Sequence, residues 1–199
     1  MIKNKKEYKY YLYCDKIALG KTRKRPKIFG DEIWKFQILL RKLEYLKNCP
    51  SILNKPLYLI TYYKFHKLSI KLSFSIPPNV FGPGLAIIHY GTIIINQKAK
   101  VGKNCRLHAC TTIGGTNGID KAPIIGDNVY IGTGAKIIGD IKLGNNIAIG
   151  ANSVVNKSFT INDITIAGVP AKQISNNNSF IHMNSMLKEK GLLWNTKRR

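Results

Sequence analysis

Two histidines and two cysteines in the middle of the chain are the residues whose types and spacing could do chemistry. His89 and His108 lie nineteen residues apart. An imidazole titrates close to neutrality and can take the proton from a hydroxyl as its oxygen attacks. Cys105 and Cys110 offer thiols that could hold a covalent intermediate. The other histidines, His66 and His182, stand in no comparable context. Gly114 and Gly115 open a segment running to Pro123, and such glycines suit a close backbone approach to a ligand or simply the departure of a loop. The four cysteines show no paired metal or redox spacing. The start, Met1-Ile2-Lys3-Asn4-Lys5-Lys6, has no apolar run of the secretory kind, so the expected location is cytoplasmic with reduced thiols.

The elements that must position these groups follow from a six-residue period. From Val101 the chain reads VGKNCR, LHACTT and IGGTNG, then, after a break, IGDNVY, IGTGAK, IIGDIK, LGNNIA and IGANSV. An aliphatic residue opens each unit (Val101, Leu107, Ile113, Ile125, Ile131, Ile137, Leu143, Ile149), and a small or β-branched residue recurs four places later. Neither helical period nor simple alternation yields this pattern, so the region is read as a solenoid. Each unit supplies a short strand and a turn, and three units make a triangular coil stacked at about 4.8 Å, the strand-pairing distance. Asn and Gly gather at the turns, where positive φ is needed. Extended upstream, the frame passes through Ile95 and sets His89 where other units carry an aliphatic. His108 then falls one coil further on, close to His89. The segment from Gly114 to Pro123 breaks the repeat and is expected to leave the solenoid as a loop at a binding face.

Before residue 75 the apolar spacing is helical. Asp31 is placed to cap a helix with Ile33, Phe36, Leu40 and Leu43 on one face. Pro56 opens another through Leu72, with Leu59, Tyr62 and Tyr63 on its apolar side and Lys64, Lys67 and Lys71 on its wet side. Lys21 to Lys27 is a basic loop. The expected organisation is a helical region over 1–74, a solenoid over 75–174, and a polar linker and tail over 175–199 that ends in Lys197-Arg198-Arg199. A net charge of +22 calls for an anionic partner or a solvated basic surface. No nucleic-acid-binding signature accompanies it. An anionic membrane, touched peripherally by a basic amphipathic helix, is a second answer.

Residues 75–174 resemble the hexapeptide-repeat acyltransferases, within them the serine acetyltransferase branch. The segments that carry the resemblance are IIHYGTIII around His89, TTIGGTNG from Thr111, APIIGDNVYIGTGAKIIGDIKLG, IGANSVV and AGVPAK from Ala167. More narrowly, the chain is similar to serine acetyltransferase-like proteins of capsule and lipopolysaccharide gene clusters. The resemblance implies a mainly β fold, a left-handed parallel β-helix, assembled as a homotrimer with active sites between neighbours. It implies acetyl-CoA as co-substrate and His89 as general base, with His108 binding the acceptor or orienting that base. It implies acetyl-CoA contacts at Ala135, Ala151, Asn156, Lys157 and Lys172, and direct transfer in preference to a Cys105 or Cys110 acyl intermediate. No metal is implied.

The chain departs from the serine branch at three positions. Ile88 stands where that branch has Asp before the catalytic His, Ser75 roughly where an orienting Asp lies upstream, and Ala122 where a second His follows the loop. A site that loses groups hydrogen-bonded to its substrate loses discrimination. The expected acceptor is therefore a hydroxyl of a surface-polysaccharide sugar or its precursor. Serine, an amino sugar and a non-catalytic trimeric scaffold are the alternatives. Asp120, from a neighbouring chain, or a backbone carbonyl is a candidate to orient His89, and Gly114, Gly115 and Asp120 form the substrate loop.

Overall fold

Outside the Gly114–Pro123 loop, each six-residue unit does form one strand of two or three residues and one turn. The computed structural model describes residues 1–116 and 120–193. The first strands are β1 (Phe74–Ser75), β2 (Ala86–Ile87), β3 (Ile93–Ile95), β4 (Lys100–Val101), β5 (Arg106–Leu107) and β6 (Thr112–Gly114). After the loop come β7 (Ile124–Ile125), β8 (Tyr130–Ile131), β9 (Lys136–Ile138), β10 (Lys142–Leu143), β11 (Ala148–Ile149) and β12 (Val154–Val155), then β13 (Thr165–Gly168) and β14 (Ala171–Ser175). They sort into three sheets: β1-β3-β6-β9-β12, β10-β7-β4 and β14-β13-β11-β8-β5-β2. All pairings are parallel except that of β13 with β14. From β2 to β12 the chain visits the three sheets in rotation, consistent with the expected β-helix.

The repeat-opening aliphatics form the core. Leu107, Ile113, Ile131, Ile137 and Ile149 are fully buried and stack coil upon coil. Ile95 pairs with Ile113 and Ile131 with Ile149, the regular step of eighteen. Across the loop Ile113 pairs with Ile137, so six residues are added there. The first coil is longer than the frame predicts: Ile87, not His89, pairs with Leu107, a step of twenty. Two extra residues thus widen the corner that carries His89.

At another corner a column of αL residues runs through the solenoid: Asn104, Asn128, Asn146 and Asp163, with φ between 54° and 61°. Asn104 Nδ2 donates to Asn128 Oδ1 and Asn128 Nδ2 to Asn146 Oδ1, both at 2.8 Å, and Asn146 Nδ2 donates to Asp163 at 3.0 Å. Gly84 precedes the column, and a Cβ there would meet Asn104 Oδ1 at 2.2 Å.

Three helices precede the coils: α1 (Lys5–Ala18), α2 (Glu32–Asn48) and α3 (Lys55–Leu72). Helix α2 buries Phe36, Leu40 and Leu43 against the first coil, as its spacing predicts. Asp31 does not cap it. Its backbone is left-handed, φ 56°, and its carboxylate accepts from Lys21 Nζ at 2.5 Å and the Lys27 amide at 3.1 Å instead. Helix α3 keeps Lys64, Lys67 and Lys71 exposed as expected, but Thr61, Phe65, Ser69 and Leu72 face inward, while Leu59, Tyr62 and Tyr63 are exposed.

A buried ion cluster joins the helices to the coil. Arg41, fully buried, donates to Asp15 of α1 at 2.8 and 3.2 Å, to Glu44 at 3.0 Å, and to the carbonyls of Phe81 and Gly82 at 2.8 and 2.7 Å. Asp15 in turn accepts from the amides of Gly84 and Leu85, and Glu44 from that of Asn79. Gln37 of α2 imitates a neighbouring strand for β2. Its Nε2 donates to Leu85 O at 2.7 Å, and its Oε1 accepts from the Ile87 amide at 3.0 Å.

After β14 the chain folds back along the solenoid into α4 (Ser185–Glu189). Leu187 packs there with Ile17, Ala18 and Ala86. The basic end, Lys197-Arg198-Arg199, lies outside the described residues.

Candidate active site

The widened first corner, held by Gln37 against α2, carries His89 two residues beyond β2. His89 is exposed. Its ring centroid lies 5.5 Å from that of His108, which the next coil supplies just after β5. The two histidines are brought together as the spacing predicts, though His89 stands in an enlarged turn and not in an aliphatic slot. The column continues: His108 meets Tyr130 edge-on at 5.2 Å, and Tyr130 stacks on His182 at 4.4 Å. His182 is the member that sequence reasoning missed, because no local pattern signals that the tail returns to this face.

His108 is half-buried, and its Nε2 is a buried atom with no hydrogen-bond partner among the described residues. Burial lowers its pKa below the ordinary 6.5, and the charges of Arg106, His89 and His182 act in the same direction. His108 is therefore neutral at pH 7 and puts no cation beside His89. Because the folded-state pKa is depressed, the unfolded chain takes the proton first. This contribution to stability is therefore lost as pH falls through 6.5 toward the folded value. A histidine titration followed by NMR should place His108 below 6.5, and Arg106→Met should move it part of the way back, since burial is the larger cause. An unchanged titration in that variant would contradict the assignment.

A cleft of about 400 Å³ opens beneath His89. It lies between the coil and the helices, and Lys21, Asp31, Trp34, Ile88, Tyr90 and Arg106 are among its lining residues. Lys21 and Asp31 pair within it. Arg106, half-buried, has no carboxylate partner among the described residues. Burial draws its pKa down, as expected for a guanidinium without one. These charges come from segments far apart in sequence, which is why no local motif revealed them.

The remaining expected residues are dispersed. Ile88 packs on the apolar cluster of Ile17, Ala18, Ala86 and Leu187, so an apolar neighbourhood fills the Asp position of the serine branch. Ser75 is exposed on β1, and Ala122 is buried in the core with no room for an imidazole. Asp120 is ion-paired with Lys98 and lines a different groove, with Pro77, Ile95 and Lys121. Within this chain it does not reach His89. Gly114 sits beside Ile138, and a Cβ on Gly115 would meet the Lys121 carbonyl at 2.6 Å. The Gly115 approach thus closes the loop on itself, and the loop tip, 117–119, lies outside the described residues.

Ala135 requires a correction. Its side chain is fully buried, its amide donates to Gly132 O at 3.3 Å, and its carbonyl accepts from Thr112 at 3.0 Å. It is a core residue, in the inward small-residue slot of its unit. Ala151, Asn156, Lys157 and Lys172 are exposed on the later coils. Cys105 is core, and burial pushes its thiol up to about 12, which removes it as a nucleophile. Cys110 is exposed at a turn with φ 60°.

Residues 122–157 match the family described as bacterial transferase hexapeptide (six repeats). The chain is 37% identical over 95 residues to a serine acetyltransferase of Synechococcus elongatus, covering 47% of this chain and 38% of that one. It is 35% identical over 132 residues to a serine acetyltransferase of Buchnera aphidicola from Schizaphis graminum, covering 62% and 50%. The chain thus spans half or less of the length of these curated relatives. Among solved structures, a Brucella abortus serine acetyltransferase in complex with coenzyme A superimposes with a TM-score of 0.68 at 27% identity, covering 87% of this chain and 70% of that one. A Neisseria gonorrhoeae serine acetyltransferase in complex with serine gives 0.64 at 27%, covering 84% and 69%. The expectation of a surface-glycan acceptor is corrected by these likenesses, all of which are to serine acetyltransferases.

Proposed function

We propose that this chain transfers the acetyl group of acetyl-CoA to the hydroxyl of serine, with His89 as the general base. The observation that carries the reading is the half-buried Arg106 guanidinium, free of any carboxylate among the described residues, in the same cleft as His89. An amino acid presents a carboxylate and an ammonium on either side of the reacting carbon. Arg106 suits the carboxylate through its planar fork. Asp31 suits the ammonium, since each carboxylate oxygen that already accepts one hydrogen bond keeps a second acceptor site. The groups missing at positions 88 and 122 thus have substitutes contributed by the head of α2, the basic loop and β5. Likeness to structures determined with serine and with coenzyme A supports the same assignment.

His89 receives the serine hydroxyl proton at a ring nitrogen as the oxygen attacks the thioester carbonyl, and gives it to the departing coenzyme A sulfur as the C–S bond breaks. His108, held neutral, stands beside it. Acetyl-CoA supplies the acetyl group as a thioester. The chain's residues fit such a co-substrate. Ala151 is small and exposed, which lets a ligand lie against the coil. Asn156 offers a polar contact, and Lys157 and Lys172 project charges that answer phosphate. In this reading the coils wind left-handed, three copies pack side by side, and the sites lie between neighbours.

Thiol release with L-serine, compared with serinol, which lacks the carboxylate, tests the assignment. The wild type should prefer L-serine in kcat/KM by about 10- to 100-fold, the worth of a charge-assisted hydrogen bond. Arg106→Met should erase most of that preference. Equal turnover of the two acceptors, or none with L-serine, would show the acceptor assignment to be wrong.

A further inference from the structure

Helix α3 carries a second apolar stripe on the side away from the protein. The inward stripe is Thr61, Phe65, Ser69 and Leu72, two of them small and polar. On the opposite face Leu59, Tyr63 and Ile70 are 64, 58 and 67% exposed, flanked by Ile60. Lys64, Lys67 and Lys71 border this stripe, and Lys67 Nζ stands 5.0 Å over the Tyr63 ring. The turn that leads into the helix exposes Ile52 and Leu53 at 81 and 89%. The loop before α2 exposes Ile28 and Phe29 beside Arg23, Lys24, Arg25 and Lys27. The charge of Lys71 acts on Glu32, which places the foot of that loop near the C-terminal end of α3.

We infer that the outer face of α3, with the Ile52–Leu53 turn, is a docking surface for an anionic phospholipid bilayer, the helix lying in the plane of the interface. Exposed apolar residues alone would suit several occupants, and charge decides among them. No Asp or Glu occurs between Glu44 and Asp120. A second copy laid on this face would bring two rows of three lysines together, with only Glu32, near Lys71, as an acid beside each row. An anionic bilayer answers both features at once. Leucine, isoleucine and tyrosine side chains enter the headgroup boundary, while lysines extend to the lipid charges. Among the described residues no helix is long and apolar enough to cross a membrane, so α3 can lie on one but not span it. The inference does not depend on the acetyl-transfer reading.

The test is flotation of the full chain with phosphatidylcholine vesicles, with and without about 30% phosphatidylglycerol, at ~0.05 M and ~0.5 M salt. Binding is expected to the anionic vesicles at low salt and to be at least ~10-fold weaker on phosphatidylcholine alone. Leu59→Glu/Tyr63→Glu/Ile70→Glu should lower binding about 10-fold or more while circular dichroism and thiol release stay as in the wild type. Lys64→Gln/Lys67→Gln/Lys71→Gln, which leaves the apolar stripe intact, should weaken binding and flatten its salt dependence. Failure to float with anionic vesicles at low salt overturns the inference, and so does unchanged binding by the glutamate variant. Self-association without lipid that disappears in the glutamate variant would identify a second copy as the occupant. Equal binding to soluble heparin by wild type and glutamate variant, with no gain from lipid, would reduce the face to charge alone.

Discussion

Replacing His89 with Ala is expected to lower kcat for acetyl transfer by about 10²- to 10⁴-fold, the usual worth of a positioned general base. The KM for acetyl-CoA should change little, because the residues assigned to it lie on the later coils. The expectation rests on place: His89 projects from the widened corner beyond β2, exposed, over a cleft of about 400 Å³. Among the described residues its ring neighbour is His108 at 5.5 Å. His108→Asn should cost less, since that ring stands beside the reacting base and not over the cleft. Thiol release followed in both variants decides the matter, and full activity in His89→Ala would remove the base from the proposal.

Arg41→Ala should be the most destabilising single change in the helical region, costing about 3–5 kcal/mol. The loss of attraction is not the main reason. With the guanidinium gone, Asp15 and Glu44 remain buried at 2 and 1% exposure, carrying charges with no cation beside them. Two carbonyls, those of Phe81 and Gly82, also lose their donor. For a chain of this size the loss corresponds to a fall in Tm of roughly 6–20 °C. Replacing all three members with apolar residues of similar volume should recover much of it, because no charge is then left buried. A thermal melt of Arg41→Ala that matches the wild type would show that the cluster is not what holds α1 and α2 to the first coil.

The solenoid was readable because its core is periodic. An aliphatic every sixth residue has one structural explanation, and the predicted residues stack in columns, Leu107–Ile131–Ile149 in one sheet and Ile113–Ile137 in another, all fully buried. The same regularity misled at its edge. Extending the frame upstream put His89 in a core slot, whereas two additional residues let Ile87 take that slot and push His89 outward. Nothing local distinguishes these arrangements, since both offer an aliphatic near the required place. Helix α3 was misread for a related reason: Leu59 and Tyr63 form an apolar side in sequence, but tertiary packing chose Phe65 and Leu72. Arg41 reads as an ordinary solvated residue of an amphipathic helix until Asp15, from another helix, is seen beside it. The cleft charges escaped altogether, because Lys21, Asp31 and Arg106 meet only after the chain has folded. The glycan acceptor inferred from positions 75, 88 and 122 was overturned by the likeness to serine acetyltransferases, and the meeting of these charges gives the proposed serine site its substitutes.

The corner column of Asn104, Asn128, Asn146 and Asp163 has a direction. Each asparagine passes an N–H to the next coil, and Asn128 and Asn146 also accept one from the coil before, so these interior members are interchangeable in form. The last member is not. A carboxylate only accepts, and Asp163 takes hydrogen bonds from Asn146 at 3.0 Å and Asn178 at 3.4 Å without having one to hand on. At the other end Gly84 has no side chain to pass anything forward. The column therefore has two unlike ends, a glycine before its first asparagine and a carboxylate after its last. Duplicating an interior coil would add one asparagine to the column and leave Asp163 as its terminus, whereas a coil added beyond Asp163 would need a donor at position 163 and a new acceptor one coil on.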